Sequence, residues 1–152
     1  TFELLNQVAG RSGRGQKEGN VIIQTFNKDH YAIKYTKEND YLGFYNEEMK
    51  IRNKLGYPPY FYICLIKIIS PDYDLASKTS IKLSTYLRKN KHAIVLGPSV
   101  CNIFKINNKY HFQVILKYKD KTKIIEELKK INEHYFGQKQ VKVEIDFNPM
   151  KL

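Results

Sequence analysis

Two rhythms of apolar residues divide the chain at Gly56-Tyr57-Pro58-Pro59. Before that point the spacing is helical. Phe2, Leu5 and Val8 or Ala9 recur on one side of residues 2–9, a helix that Gly10 is placed to end. The uninterrupted run Val21-Ile22-Ile23-Gln24-Thr25, opened by Gly19, predicts a short buried strand. Asn27 or Asp29 is a candidate cap for a helix through Ile33. Tyr41, Phe44, Tyr45, Met49, Arg52 and Leu55 trace one stripe of a longer helix. Gly56 is positioned to terminate it, and Pro58-Pro59 cannot continue it. The boundary is therefore expected near residue 57, between parts 1–56 and 57–152.

Beyond the prolines the period alternates between two and 3.6. Residues 60–69 read as an apolar strand interrupted by Lys67. Over residues 72–89, Leu75, Ala76, Thr79, Leu83, Tyr86 and Leu87 form a helical stripe. Val95-Leu96-Gly97-Pro98 predicts a short extended piece bent by its Gly-Pro pair. Residues 100–106 and 109–118 flank Asn107-Asn108, a two-residue hairpin turn in which Asn tolerates positive φ. Ile124, Leu128, Ile131 and Tyr135 line a second helix, Gly137 follows it, and residues 141–147 form the last strand. The order strand-helix-strand-strand-helix-strand is the split β-α-β, ferredoxin-like pattern, so the fold class is α+β. Tyr110, Phe112, Val114, Leu116 and Tyr118 should share a face with Val141, Val143, Ile145 and Phe147 and meet the helices. The opposite face carries Lys109, His111, Gln113, Ile115 and Lys117, with Lys142, Glu144 and Asp146. Being polar, it is not expected to be covered by these helices.

Composition adds a location to the charge. Of 152 residues 42% are hydrophobic, enough for one domain, or for one small domain and the remnant of another. The net charge is +11; nine Lys/Arg face seven Asp/Glu in residues 1–55, whereas seventeen face eight in residues 56–152. Basic character thus belongs to the C-terminal part, where it fits either a nucleic-acid partner or a solvated lysine-rich surface. No apolar run approaches the length of a membrane span, and Thr-Phe-Glu is not a signal peptide; Thr1 is expected to be a cut within a longer protein. Cys64 and Cys101 stand singly in apolar surroundings and are expected to be packed thiols. His30, His92, His111 and His134 lack ligand spacing, so no metal is expected here.

Only Arg11, Arg14, Arg52 and Arg88 are arginine in a chain otherwise basic through lysine. Two of them stand together in Gln7-Val8-Ala9-Gly10-Arg11-Ser12-Gly13-Arg14-Gly15. Guanidinium is a planar fork of donors whose charge is never lost, which suits phosphate oxygens better than a flexible ammonium does. Glycines at 10, 13 and 15 clear side chains from around the pair. On residue chemistry alone the alternative is a flexible Arg-Gly loop that touches nucleic acid or nothing. It resembles the Q-x-x-G-R-x-G-R motif that closes the second RecA-like lobe of superfamily 2 helicases. Thr1-Phe2-Glu3-Leu4-Leu5 before it, then Val21-Ile22-Ile23-Gln24-Thr25, Asp29-His30-Tyr31-Ala32-Ile33 and Leu55-Gly56-Tyr57-Pro58-Pro59-Tyr60, resemble the PriA family of replication-restart helicases. Val95-Leu96-Gly97-Pro98, Gln113-Val114-Ile115-Leu116-Lys117 and Asp146-Phe147-Asn148-Pro149 extend that resemblance over essentially the whole chain.

The resemblance implies a parent that hydrolyses ATP with Mg²⁺ to unwind DNA 3′ to 5′ at stalled forks and to reload the replicative helicase. Residues 1–56 would be the end of helicase lobe 2 and residues 57–152 the family's C-terminal α+β domain. Carried over, Arg14 is the arginine finger, Arg11 its partner on the phosphate, and Gln7 the link to the cleft, with Gly10 and Gly13 in the nucleotide-binding turn. The phosphate loop, the Mg²⁺-binding acidic motif and the family's zinc cysteines would lie upstream, so this stretch alone is expected to be no ATPase and to bind neither metal nor nucleotide. Lys67, Lys105, Lys109, His111, Lys117 and Lys142 are the candidate DNA contacts. Lys117, Lys119, Lys121 and Lys123 crowd a strand end and a helix start, where cations oppose the helix dipole. They are candidates for an acidic partner, the tail of single-stranded DNA-binding protein by resemblance, or form a solvated turn. Further implied partners are primosome and helicase-loader proteins; the implied setting is the bacterial cytoplasm and nucleoid, with no membrane contact. A stand-alone ferredoxin-like nucleic-acid-binding module and another superfamily 2 enzyme remain alternatives.

Overall fold

The computed structural model describes residues 1–12 and 20–150. Among them, three helices make up the first part of the chain and four strands with two helices the second. The division falls between Lys54 and Leu55, giving the units Thr1–Lys54 and Leu55–Leu152.

In the first unit the helices are α1 (Phe2–Ala9), α2 (Tyr31–Glu38) and α3 (Tyr41–Leu55). Aromatic rings hold them. Phe2, buried, stacks on Phe44 at 4.3 Å and 8°, and the ring of Tyr31 lies 6.0 Å from that of Phe44. The Tyr31 hydroxyl donates to Glu48, and Arg52 Nε donates to the other oxygen of the same carboxylate at 2.6 Å. These two donors hold Glu48 below the usual carboxylate range, the tyrosine bond first. Burial, then the bond to Glu48, pushes the Tyr31 hydroxyl up to about 12. The cap of α2 is neither Asn27 nor Asp29 but His30, whose Nδ1 accepts from Ala32 N at 3.2 Å. The expected strand at 21–25 is absent. Those residues carry no strand, and Ile22 is 95% exposed. A strand must exchange its backbone bonds with a neighbour, and the described residues of this unit contain no other strand.

The second unit runs β1 (Tyr62–Ser70), α4 (Tyr73–Lys89), β2 (Ile94–Ile106), β3 (Lys109–Tyr118), α5 (Lys121–Tyr135), β4 (Lys142–Phe147). It is an α+β unit with the expected element order. The sheet order is β2-β3-β1-β4 and every neighbouring pair is antiparallel. Both helices cover one face. Cys64, Ile66 and Ile68 of β1, with Phe112, Val114, Leu116 and Tyr118 of β3, meet Ala76, Leu83 and Leu87 of α4 and Ile124, Leu128 and Ile131 of α5. Val141, Val143 and Ile145 join them, as the alternation predicts. Phe147 lies beside Ile125 and Leu128 but is 47% exposed, because β4 is an edge strand.

Polar side chains finish the ends. Asp72 Oδ1 accepts from Leu75 N at 3.1 Å to cap α4, and Asp120 Oδ1 accepts from Thr122 N at 2.9 Å to cap α5. The buried Ser70 hydroxyl donates to Gln140 O at 2.7 Å and accepts from Asp72 N at 3.1 Å, tying the end of β1 to the approach of β4. Asn107 and Asn108 have φ of 48° and 59°, the paired left-handed conformation of a two-residue hairpin turn. Unlike the two separate pieces expected, β2 is one strand that absorbs Gly97-Pro98 as an irregularity, Leu96 pairing with Ile115 and Ser99 with Gln113. Gly97 has φ +94°, and a Cβ there would meet Gln113 O at 3.0 Å, so only glycine lets the strand pass.

Replacing Asp72 by Ala is expected to lower stability by about 1 kcal/mol through the lost cap. Leu116→Ala, which empties a fully buried site, is expected to cost about 2–5 kcal/mol. Urea unfolding of the two variants checks the order.

Candidate nucleic-acid interface

Cross-strand register gives the composition of the sheet face that the helices leave open. Ile63 lies opposite Lys117; Leu65 between Ile115 and Asp146; Lys67 between Gln113 and Glu144; Ile69 between His111 and Lys142. The face thus carries Ile63, Leu65 and Ile115 beside Lys117 and Asp146 at its more apolar end, and is mostly polar and mixed in charge at the other. Its apolar end is covered, since Ile63, Leu65 and Lys117 are all buried. The other end is a depression of about 380 Å³ floored by Lys67, Ile69, His111 and Gln113. Its wall comes from β2. Between the pairs Val100–Phe112 and Lys105–Tyr110, five steps along β2 match two along β3, so residues 101–104 bulge out, and Cys101, Asn102 and Ile103 line the depression. No expectation from the sequence includes this bulge. Its only trace there is that Val100-Cys101-Asn102-Ile103-Phe104 breaks strict alternation.

The six candidate DNA contacts do not form one patch. Lys67, Lys109 and His111 share the open face, Lys109 paired with Ile106 at the hairpin end. Lys142 is on that face too, but its Nζ is 2.7 Å from Glu144, so part of its charge is answered within the sheet. Lys105 departs from the expectation: it pairs with Tyr110, on the helix-facing side, and its Nζ sits 4.9 Å from that ring's centroid. Lys117 departs further, being 8% exposed. Its Nζ donates to Leu55 O at 2.8 Å and lies 3.7 Å from the Tyr57 ring centroid. A long side chain next to a bare carbonyl at a helix C-terminus satisfies that carbonyl, and the stem covers Ile63; this lysine is a strut, not an open contact.

The four lysines proposed for a partner are divided by the same corner. Lys119 Nζ lies 4.9 Å from the Phe61 ring and Lys121 Nζ 4.1 Å from the Tyr62 ring, continuing the Lys117–Tyr57 contact. Lys123 is exposed. Spacing reveals the lysines but not the rings that receive them. The signal for those rings is the density of aromatics at residues 57–62. Such contacts contribute about 0.5–1 kcal/mol at exposed sites, which gives the cations near the start of α5 a local reason to be there.

At the arginine motif, Gly10 caps α1 without leaving the right-handed region, with φ −69°. Its role is space: a Cβ would stand 3.3 Å from Asn6 O. Gly10 N donates to Asn6 O at 2.8 Å, Arg11 N to Val8 O at 3.2 Å and Ser12 N to Ala9 O at 3.1 Å, so the turn continues past the helix. Gln7 and Arg11 are both exposed there. Gly13 and Arg14 lie outside the described residues.

Both thiols are pushed above their ordinary range. Burial, and after it the nearby Asp146 carboxylate, pushes Cys64 up to about 12; burial also raises Cys101, against the opposing charge of Lys67. Among the described residues no group of three or more His, Cys, Asp and Glu could hold a metal ion, and no helix is long and apolar enough to cross a membrane.

Residues 53–150 match the family model of the primosomal protein N C-terminal domain. The chain is 44% identical over 157 aligned positions to the replication restart protein PriA of Bacillus subtilis, with all of this chain and 20% of the relative covered. It is 32% identical to the protein of that name from Synechocystis, covering 99% of the chain and 18% of the relative. For that of Borreliella burgdorferi the identity is 34%, with 99% and 23% covered. The chain therefore spans about a fifth of the length of these relatives.

Because Lys117 is a strut, Lys117→Ala is expected to destabilise the chain by roughly 1–3 kcal/mol by leaving a helix-end carbonyl without its donor. Lys109→Ala, on the exposed hairpin, should stay within about 0.5 kcal/mol of the original. Thermal unfolding of the pair checks the contrast.

Proposed function

The chain belongs to the PriA family, and we propose that it supplies the C-terminal part of an ATP-dependent 3′–5′ DNA helicase that restarts stalled replication forks. The observation that carries this reading is the likeness over the whole chain, arginine motif included, at 44% identity. In this reading residues 1–56 are the end of a RecA-like lobe. The run at residues 21–25 then finds its strand partner in the remainder of that lobe, which would explain why it stays open here.

Arg11 leaves the end of α1 exposed and without an ion pair among the described residues, which suits a guanidinium kept for an outside anion. Arg11 and Arg14 would face the γ-phosphate, Gln7 would link the motif to the cleft, and Gly10 and Gly13 would leave room for the approach. ATP with Mg²⁺, when bound to the parent, supplies the phosphoryl group whose developing negative charge the arginines stabilise. The ferredoxin-like second unit would contact branched or single-stranded DNA with the basic end of its open face. Lys67, Lys109 and His111 are the best-placed groups, Lys142 a shared one. Lys119, Lys121 and Lys123 remain the proposed contacts for the acidic tail of single-stranded DNA-binding protein, with primosome and loader proteins as further partners.

Two measurements test the reading. In the full-length parent, Arg14→Lys should reduce DNA-stimulated ATP hydrolysis by roughly 10³- to 10⁵-fold, the usual worth of an arginine finger, with DNA binding retained. Phosphate release at a normal rate would remove the finger role. For the 152-residue chain, affinity for a single-stranded oligonucleotide should fall steeply with salt, each neutralised phosphate adding about −0.7 to the log–log slope. Lys67→Glu with Lys109→Glu should abolish that binding and leave the circular dichroism spectrum unchanged. Undiminished binding by the double variant would locate DNA contact elsewhere.

A further inference from the structure

The depression on the open sheet face has a lining that phosphate contact alone does not call for. It holds about 380 Å³, within the roughly 300–1,000 Å³ of small-molecule sites. Isoleucines make its apolar part. Ile69 on the floor is half-buried, whereas Ile103 on the bulge of β2 and Ile106 at the hairpin are 64% and 42% exposed. Two amides and a carboxylate make much of the rest. Asn102 comes from the bulge, Gln113 from β3 and Glu144 from β4, and the register sets Gln113 and Glu144 on either side of Lys67.

The polar groups of this lining are available to a ligand. The side chains of Asn102, His111 and Gln113 make no hydrogen bond to other described residues. Glu144 pairs with Lys142 at 2.7 Å, and a carboxylate has acceptor capacity for more than one donor. These groups discriminate between kinds of ligand. A phosphate would meet Glu144 as a like charge and leave the isoleucines unmatched. An apolar protein side chain would match the isoleucines and strand two amides and a carboxylate. A nucleobase has both halves, apolar faces and a rim of donors and acceptors, and side-chain amides can answer either kind of rim group.

We propose that this depression receives one unstacked base of a DNA single strand whose backbone crosses the basic end of the open face, an inference that rests on the DNA-contact reading of that face. The base lies against Ile103 and Ile106 over Ile69, and its edge meets Asn102, Gln113 and Glu144. Lys67 and Lys109 make the cationic end towards which the backbone is drawn. No aromatic ring lines the depression, so aliphatic side chains hold the base in place of ring stacking. In a duplex the bases are paired and stacked on one another, so the depression adds affinity for single strands and none for intact double strands. The bulge at residues 101–104 thereby acquires a purpose: it raises Asn102 and Ile103 into a wall that a regular strand would not present.

The test is fluorescence anisotropy with the 152-residue chain and two labelled strands of about twelve nucleotides, one of mixed sequence and one of equal length in which every base is replaced by an abasic site. The two strands carry the same phosphates. The intact strand should bind about tenfold or more tighter, while the log–log salt slopes of the two stay equal. Asn102→Ala with Ile103→Ser changes no charge and touches only exposed positions of the bulge. This double variant should keep its circular dichroism spectrum, bind the intact strand about fivefold or more weaker, and change its affinity for the abasic strand less than about twofold. Equal, salt-dependent affinity of the original chain for both strands would overturn the base pocket and leave the phosphate contact standing. Binding of neither strand would remove the pocket and the DNA contact of this unit together. A preference for the intact strand that survives undiminished in the double variant would put the base contact elsewhere and overturn the proposal as well.

Discussion

The second unit depends on one strand having neighbours on both sides. β1 pairs with β3 along its whole length and with β4 over most of it, so its backbone bonds are satisfied only when both connections have closed. Each connection carries a helix, and both helices lie on the same face of the antiparallel sheet. That geometry makes the core one-sided. Cys64, Ile66, Ile68 and Ser70 are sealed beneath α4 and α5, whereas Lys67 and Ile69 look out from the other side. The open face is thus a consequence of the same closure, and its apolar end is covered by the segment ahead of β1.

This explains why the second unit is more legible in the sequence than the first, whose helices at 2–9 and up to Leu55 are read correctly but whose run at 21–25 is not. Where a residue's neighbours come from its own unit, period and turn chemistry carry the information. Residues 109–118 read as a strand end to end, the Asn107-Asn108 turn shows itself by its tolerance of positive φ, and the buried set on β3 follows from alternation. In the first unit the run Val21-Ile22-Ile23 has the composition of a buried strand and no ladder to join. Composition reports what a segment can bury; it cannot supply the partner. The His30 cap escapes the sequence for a related reason, since imidazole accepts a backbone bond only when one ring nitrogen is free to do so, a property that no spacing displays.

The candidate sites are legible as residue types but not as sides. Strand assignment places Lys105 among the sheet lysines, yet the bulge at residues 101–104 shifts register, so Lys105 pairs with Tyr110 and faces the helices. Lys117 has the right alternation for the open face and is buried there, because the segment ahead of β1 folds across that end and brings Leu55 O and Tyr57 to it. Alternation tells which way a side chain points. It does not tell what lies over it.

Lysine in this chain therefore fills several physical roles that a net charge of +11 counts as equal. Lys117 is a buried donor; Lys119 and Lys121 rest on rings; Lys130 and Lys142 answer carboxylates of their own fold. Of the others, Lys67 and Lys109 charge the open face, and Lys78 and Lys82 stand exposed on α4. The two sets lie on opposite faces of one sheet-and-helix layer. Four strands and their core separate them, so a single small ligand cannot bridge them. Net charge therefore counts the cations of the unit, while the packing around each one decides which of them an outside anion can reach.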